Sequence, residues 1–229
     1  ISKKFIIGDI INIDFNSVSM KIIEKNPNHL LAEILSSGYV GSNKAANLMR
    51  DIELDVFTEK DLLAFDIGIK NNIKDYSLSF TNLQDDVKKL RNIVGDKNII
   101  SKIESNKGVL NLKGIIKEAN EILIDRGDLS REIKIEMIPL IQRKIVSIAN
   151  SNNVPVFVAT NLLESMVSSL QPNRAEVNDV ISTLQMGADG LVLAAETAIG
   201  EYPVKSAEMI KLLIEQFNKW DENTILDEI

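Results

Sequence analysis

Near the middle of the chain, IISKIESNKG (99–108) sets a lysine and a glutamate two positions apart in an apolar segment. Residues i and i+2 of a strand share a face, so Lys102 and Glu104 are expected to point the same way. The next such segment, EILIDRGDL (121–129), ends in Asp125, Arg126, Gly127 and Asp128. Carboxylates at neighbouring strand ends, Glu104 and Asp128, repel unless a cation lies between them. A hard divalent ion, Mg²⁺ or Mn²⁺, suits that place, because it takes few protein oxygens and leaves positions for ligand oxygens. Lys102 adds a point charge for a phosphoryl group or an enolate. Gly127 lets a backbone amide approach an anion with no Cβ in the way. Thr160, in VFVATN, offers a hydroxyl that could relay a proton. This set suits a metal-bound oxyacid whose carbanion or enolate must be stabilised.

Such residues need a frame. From Thr58 onward, strand-like and helix-like patterns alternate. Five apolar strand segments begin near residues 76, 98, 121, 155 and 190, and the helical segments between them make successive βα units. Nearly all-apolar strands are expected to be covered on both faces. Ligands of parallel βα folds sit at the C-terminal ends of the strands. Each of the five segments ends in polar residues: Ser79, then Lys102 and Glu104, then Asp125 to Asp128, then Thr160 and Asn161, then Glu196 and Thr197. One charged residue at a strand end is ordinarily solvated or ion-paired. Five consecutive polar ends point to a shared site. No GxGxxG follows a strand, which weighs against a dinucleotide-binding sheet. Five strands are too few to close an eight-stranded barrel, so the others would lie before Ile1 or come from another chain. Ile1 itself opens inside a strand-like segment, as expected of a piece of a longer protein. Residues 5–36 read as short strands, and GYVGSNKAAN (38–47) as a polar link.

Composition narrows the chemistry. The 229 residues carry a formal net charge of −7, which argues against a general nucleic-acid surface. The absence of cysteine excludes disulfides, thiolate metal sites and a cysteine nucleophile. His29, the single histidine, lies in the turn-like NPNHLL and is expected to be a loop residue, so a Ser-His-Asp triad is not expected. No apolar run approaches the roughly 18 residues of a membrane span, and no signal peptide is evident. A cytoplasmic protein with no membrane partner is expected.

The segments ISKIES, DRGDLS, VATNLLESM, NRAEVNDV and AAETAIGEYPVKSAEMI resemble, in order and spacing, signature segments of the pyruvate kinase family. VGSNKAANL and FTEKDLLAFDIGI are similar to the stretch where that family's small β-barrel B domain rejoins its (β/α)₈ A domain. The resemblance implies an α/β fold of the TIM (β/α)₈ type. Residues 1–43 would be part of a β-rich B domain, and 44–229 part of the barrel, whose first strands this chain lacks. It also implies phosphoryl transfer between phosphoenolpyruvate and ADP through a metal-bound enolpyruvate. Glu104 and Asp128 would bind Mg²⁺ or Mn²⁺, with K⁺ as a further cation. Lys102 would stabilise the phosphoryl group, and Thr160 would lie near the carbon that gains a proton. Ser79, Arg126 and Gly127 would line the site. Arg174 and Glu176 would lie near its mouth and a subunit contact, and a homo-oligomer is a further expectation.

The chain departs from the family's pattern. Asp125 stands where the family usually has Ala, Ser130 stands where it has Gly, and SFTN replaces a motif that ends in arginine. Those departures keep two alternatives open. One is a divergent paralogue using the same site for aldol-type cleavage or another phosphoryl acceptor. The other is a non-catalytic scaffold.

Overall fold

The computed structural model describes residues 4–14, 17–42, 44–50, 52–221 and 225. Ile1, Phe15 and Asn43, which fall in segments read above, lie outside the described residues. The chain divides into two compact units, Ile1–Thr58 and Glu59–Ile229.

The first unit is an antiparallel sheet of β1 (Ile10–Ile13), β2 (Val18–Lys25), β3 (Leu30–Ser36) and β4 (Ala46–Leu48), in the order β3-β2-β1-β4. Val18 and Ile22 lie four residues apart on β2, so they share a face, and both are buried. Asn26 N–H donates to the His29 carbonyl at 2.9 Å and closes the turn between β2 and β3, which leaves His29 in an exposed loop. Asp9 is buried and accepts two hydrogen bonds from Arg50, at 2.9 and 3.0 Å, and one from Ile6 N–H at 2.9 Å. The polar link expected to close this region at residue 43 instead leads into β4, which pairs with β1, and the unit continues to Thr58.

The second unit begins with α1 (Glu59–Lys70) and β5 (Asp75–Leu78). Then follow α2 (Gln84–Val94), β6 (Asn98–Ile103), α3 (Asn106–Leu110), α4 (Leu112–Ile115) and β7 (Glu121–Asp125). After them come α5 (Arg126–Leu129), α6 (Ile138–Ser151), β8 (Val156–Ala159), α7 (Arg174–Gln185), β9 (Gly190–Val192), α8 (Ala195–Ala198) and α9 (Pro203–Lys219). The five strands form one parallel sheet in sequential order, β5-β6-β7-β8-β9. Five strands, the number expected, are too few to close an eight-stranded barrel, and among the described residues β5 and β9 are the edges of the sheet they form.

Local chemistry sets the element ends. Gly95, at φ +69°, takes the positive-φ backbone that glycine adopts most readily and ends α2, where its N–H donates to the Arg91 carbonyl at 2.9 Å. Asn173 caps α7 by accepting from Ala175 and Glu176 N–H, and Glu176 returns the bond by accepting from Asn173 N–H at 3.0 Å. Asn111 separates the two short helices α3 and α4.

Helices cover one face of the parallel sheet. Ile99 and Ile103 of β6, Ile122 and Ile124 of β7, and Val156 and Val158 of β8 are buried, as are Val87 and Leu90 of α2 and Ile145 and Val146 of α6. Burial of each such side chain stabilises the fold by about 1.5–3 kcal/mol. A second cluster, Leu162, Leu163, Met166, Val180, Ile210 and Leu213, joins α7 and α9 beyond β8. The alternate residues, Ile100, Lys102, Leu123 and Phe157, are only half-buried, so the expected cover on both faces is seen on one. That half-open face carries the polar strand ends. Among the described residues no helix is long and apolar enough to cross a membrane.

Candidate functional site

Sheet register decides which polar side chains meet. β6 and β7 pair Lys102 with Leu123 and Ile103 with Ile124, while β7 and β8 pair Asp125 with Ala159. One step further, Glu104 comes level with Asp125, and Thr160 lies one residue past Ala159. Lys102 and Glu104 do share a face, and Lys102 Nζ lies 2.6 Å from Glu104 Oε1. The same ammonium lies 3.3 Å from Asp125 Oδ2. The other Glu104 oxygen, Oε2, accepts from Phe80 N–H at 2.5 Å.

Glu104 is 1% exposed. Burial pushes its carboxyl above the usual range and the nearby Asp125 charge adds to that, against the pull of Lys102 and the Phe80 N–H. Burial works against the Lys102 ammonium, but the Glu104 and Asp125 carboxylates outweigh it and hold this lysine above its ordinary range.

Oxygens of Glu104, Asp125 and Asp128 lie within 4.8 Å of one another. Carboxylate oxygens are the hard donors that a divalent ion such as Mg²⁺ takes, so the donor set fits the cation the sequence implies. Asp128 also pairs with Arg131 at 2.9 Å.

The remaining candidates divide. Gly127 N–H donates to Thr160 Oγ1 at 2.8 Å, which joins the end of β7 to the end of β8. Thr160 Oγ1 in turn donates to the Ala159 carbonyl at 2.6 Å. Arg126 turns its guanidinium away from the carboxylates. It donates to the Thr160 carbonyl at 3.1 and 2.6 Å and pairs with Asp179 of α7 at 2.6 Å. Ser79 is exposed in the turn after β5, next to Phe80. Glu176 is committed to its cap and to Ser165, whose N–H it accepts at 2.7 Å. Thr160 at φ +71°, Asn161 at +52° and Phe80 at +48° hold left-handed backbone at two strand ends. Non-glycine residues held this way carry roughly 1–3 kcal/mol of strain each and cluster at functional sites.

Asp125 is the member of this carboxylate cluster that sequence reasoning left out. It shares the parity of Leu123 on β7, and the strand register that sets Leu123 opposite Lys102 brings it into the cluster. Chemically the arrangement can hold a divalent cation beside an ammonium, with a hydroxyl one strand away.

Comparison with known proteins gives a consistent result. The family described as "Pyruvate kinase, barrel domain" matches residues 1–207. A pyruvate kinase of Dictyostelium discoideum is 36% identical over 199 residues, covering 85% of this chain and 39% of the relative. One from Methanocaldococcus jannaschii is 32% identical over 229 residues, covering 96% and 51%. The chloroplastic pyruvate kinase isozyme G of Nicotiana tabacum is 34% identical over 211 residues, covering 90% and 38%. The chain thus spans between 38% and 51% of the length of these relatives.

Proposed function

The chain belongs to the pyruvate kinase family, and from that premise we propose that its strand ends form a phosphotransferase site acting between phosphoenolpyruvate and ADP by way of enolpyruvate. One observation carries the reading: the Glu104, Asp125 and Asp128 oxygens gather within 4.8 Å beside the Lys102 ammonium. In this proposal Glu104 and Asp128 hold Mg²⁺ or Mn²⁺. When bound, that ion neutralises the oxyanions of substrate and intermediate. K⁺ is a second cation by family resemblance.

Lys102 offsets the charge of the phosphoryl group in transfer, where a preorganised donor is most effective. Thr160 positions a hydroxyl for the proton that carbon gains, with its backbone held by Arg126 and its side chain by Gly127 N–H. Arg126 is in this reading a positioning residue, and Ser79 lines the open rim. The five parallel strands would be part of a (β/α)₈ barrel, and the antiparallel unit part of a B domain. A cytoplasmic homo-oligomer completes the proposal.

A coupled assay on the purified chain with phosphoenolpyruvate, ADP and Mg²⁺ tests it. Pyruvate formation that depends on the metal is expected. Absence of pyruvate, with Mn²⁺ and oxalate still bound, would contradict phosphoryl transfer and favour an aldol-type or other reaction at the same site. The extra carboxylate of Asp125 is the observation that gives this second reading its weight.

A further inference from the structure

The proposed site uses Glu104, Asp128 and Lys102 and leaves Asp125 unassigned, although its carboxylate is built into the same cluster. Asp125 ends β7, and its side chain is 12% exposed. Its Oδ1 accepts from Asp128 N–H at 3.4 Å, which orients the group. Its Oδ2 then faces Lys102 Nζ at 3.3 Å.

The ammonium therefore lies between two carboxylates, with Glu104 at 2.6 Å on the other side. A divalent cation would engage Glu104 together with Asp128 and draw charge away from that contact. Asp125 is then the anion that stays with the ammonium. The charge balance points the same way. Three carboxylates, Glu104, Asp125 and Asp128, face two cations, Lys102 and Arg131, so the cluster holds one net negative charge. Without Asp125 the same cluster would be neutral. Any acidic ligand that approaches Lys102 must displace or tolerate a fixed carboxylate already in contact with it, in a partly buried setting where water screens poorly.

We propose that Asp125 is a specificity-determining residue: a fixed counter-ion to Lys102 that competes with the anionic group of an incoming ligand and raises the concentration of acidic ligand the site needs. The inference rests on the reading of Glu104, Asp128 and Lys102 as a metal-dependent oxyacid site, and its test keeps the two apart.

Mn²⁺ is first titrated into the purified chain and followed by paramagnetic resonance. Oxalate is then titrated calorimetrically at saturating Mn²⁺, for the wild type and for Asp125→Ala, Asp125→Asn and Asp125→Glu. Asn caps a helix as well as Asp does, so Asp125→Asn removes the charge and keeps the local structure. Oxalate is expected to bind about tenfold more tightly to the Ala and Asn variants, a difference of about 1.4 kcal/mol. Mn²⁺ affinity should stay within about threefold of the wild type, and Asp125→Glu should behave as the wild type does. Retained Mn²⁺ binding with no gain in oxalate affinity overturns the proposal and leaves the oxyacid reading standing. A collapse of Mn²⁺ affinity in Asp125→Asn makes Asp125 a cation ligand and overturns the counter-ion role. Failure of the wild type to bind Mn²⁺ overturns the oxyacid reading and this proposal with it.

Discussion

Two glutamates lie near the ends of strands of one parallel sheet, both almost fully out of water, and their surroundings could hardly differ more. Glu196, after β9, is 0% exposed, and its two oxygens accept from the Leu163 and Ala194 backbone N–H groups at 3.0 and 2.8 Å. Glu104, after β6, has one backbone N–H and otherwise charged neighbours: Lys102, Asp125 and the Asp128 carboxylate beyond. The first carboxylate is satisfied by the fold and ties two loops together. The second is one of three acids that share two cations, Lys102 and Arg131, an arrangement that costs stability unless a further cation joins it. Burial alone therefore does not mark a site, whereas unresolved charge does.

The comparison can be pressed with substitutions. The largest effect is expected at Lys102. Under the proposed reaction, Lys102→Met lowers turnover by roughly 10²–10³-fold, the usual loss when one preorganised charge-stabilising donor is removed. The coupled assay measures it, and Mn²⁺ binding should persist in the same protein. Undiminished turnover would remove Lys102 from the chemistry.

Glu196→Ala should act in the opposite way. It strands two N–H groups at a cost of about 1–3 kcal/mol each, seen in urea unfolding, while Mn²⁺ affinity is unchanged. A loss of metal binding without a loss of stability would reverse the assignment of the two glutamates.

The smallest effect belongs to the antiparallel unit. The Arg50 guanidinium beside Asp9, with the Ile6 N–H, holds the Asp9 carboxyl below the usual carboxylate range. Stability from this contact is present above the ordinary aspartate pKa of about 3.9 and is lost as pH falls through the lower folded value. Acid unfolding followed at several pH values should therefore be shallower for Arg50→Met than for the wild type. Equal slopes would show that the pair adds nothing to the pH dependence.

Much of this frame is legible in the chain because its signals are local. The alternating strand-like and helix-like patterns from Thr58 onward place the five βα strands, and the parity of Lys102 and Glu104 predicts their shared face. What the sequence does not carry is register between strands. The contact of Asp125 with Lys102 depends on Leu123 lying opposite Lys102, a non-local fact, so Asp125 reads in sequence as a departure rather than a member of the site. Arg126 shows the same limit. Its neighbours in the chain, Gly127 and Asp128, belong to the proposed site, yet its long side chain turns to Thr160 and Asp179. The first unit extends past its expected boundary because β4 pairs with β1, some 35 residues earlier in the chain.

The central claim is that the acids at the ends of β6 and β7 tolerate one another because a divalent cation joins them. Titration of Mn²⁺ into the wild type, Glu104→Gln and Glu196→Gln tests it most directly. The account predicts one bound ion per chain in the wild type and in Glu196→Gln, and a large loss of affinity in Glu104→Gln. Equal binding by all three proteins, or none by the wild type, would contradict it.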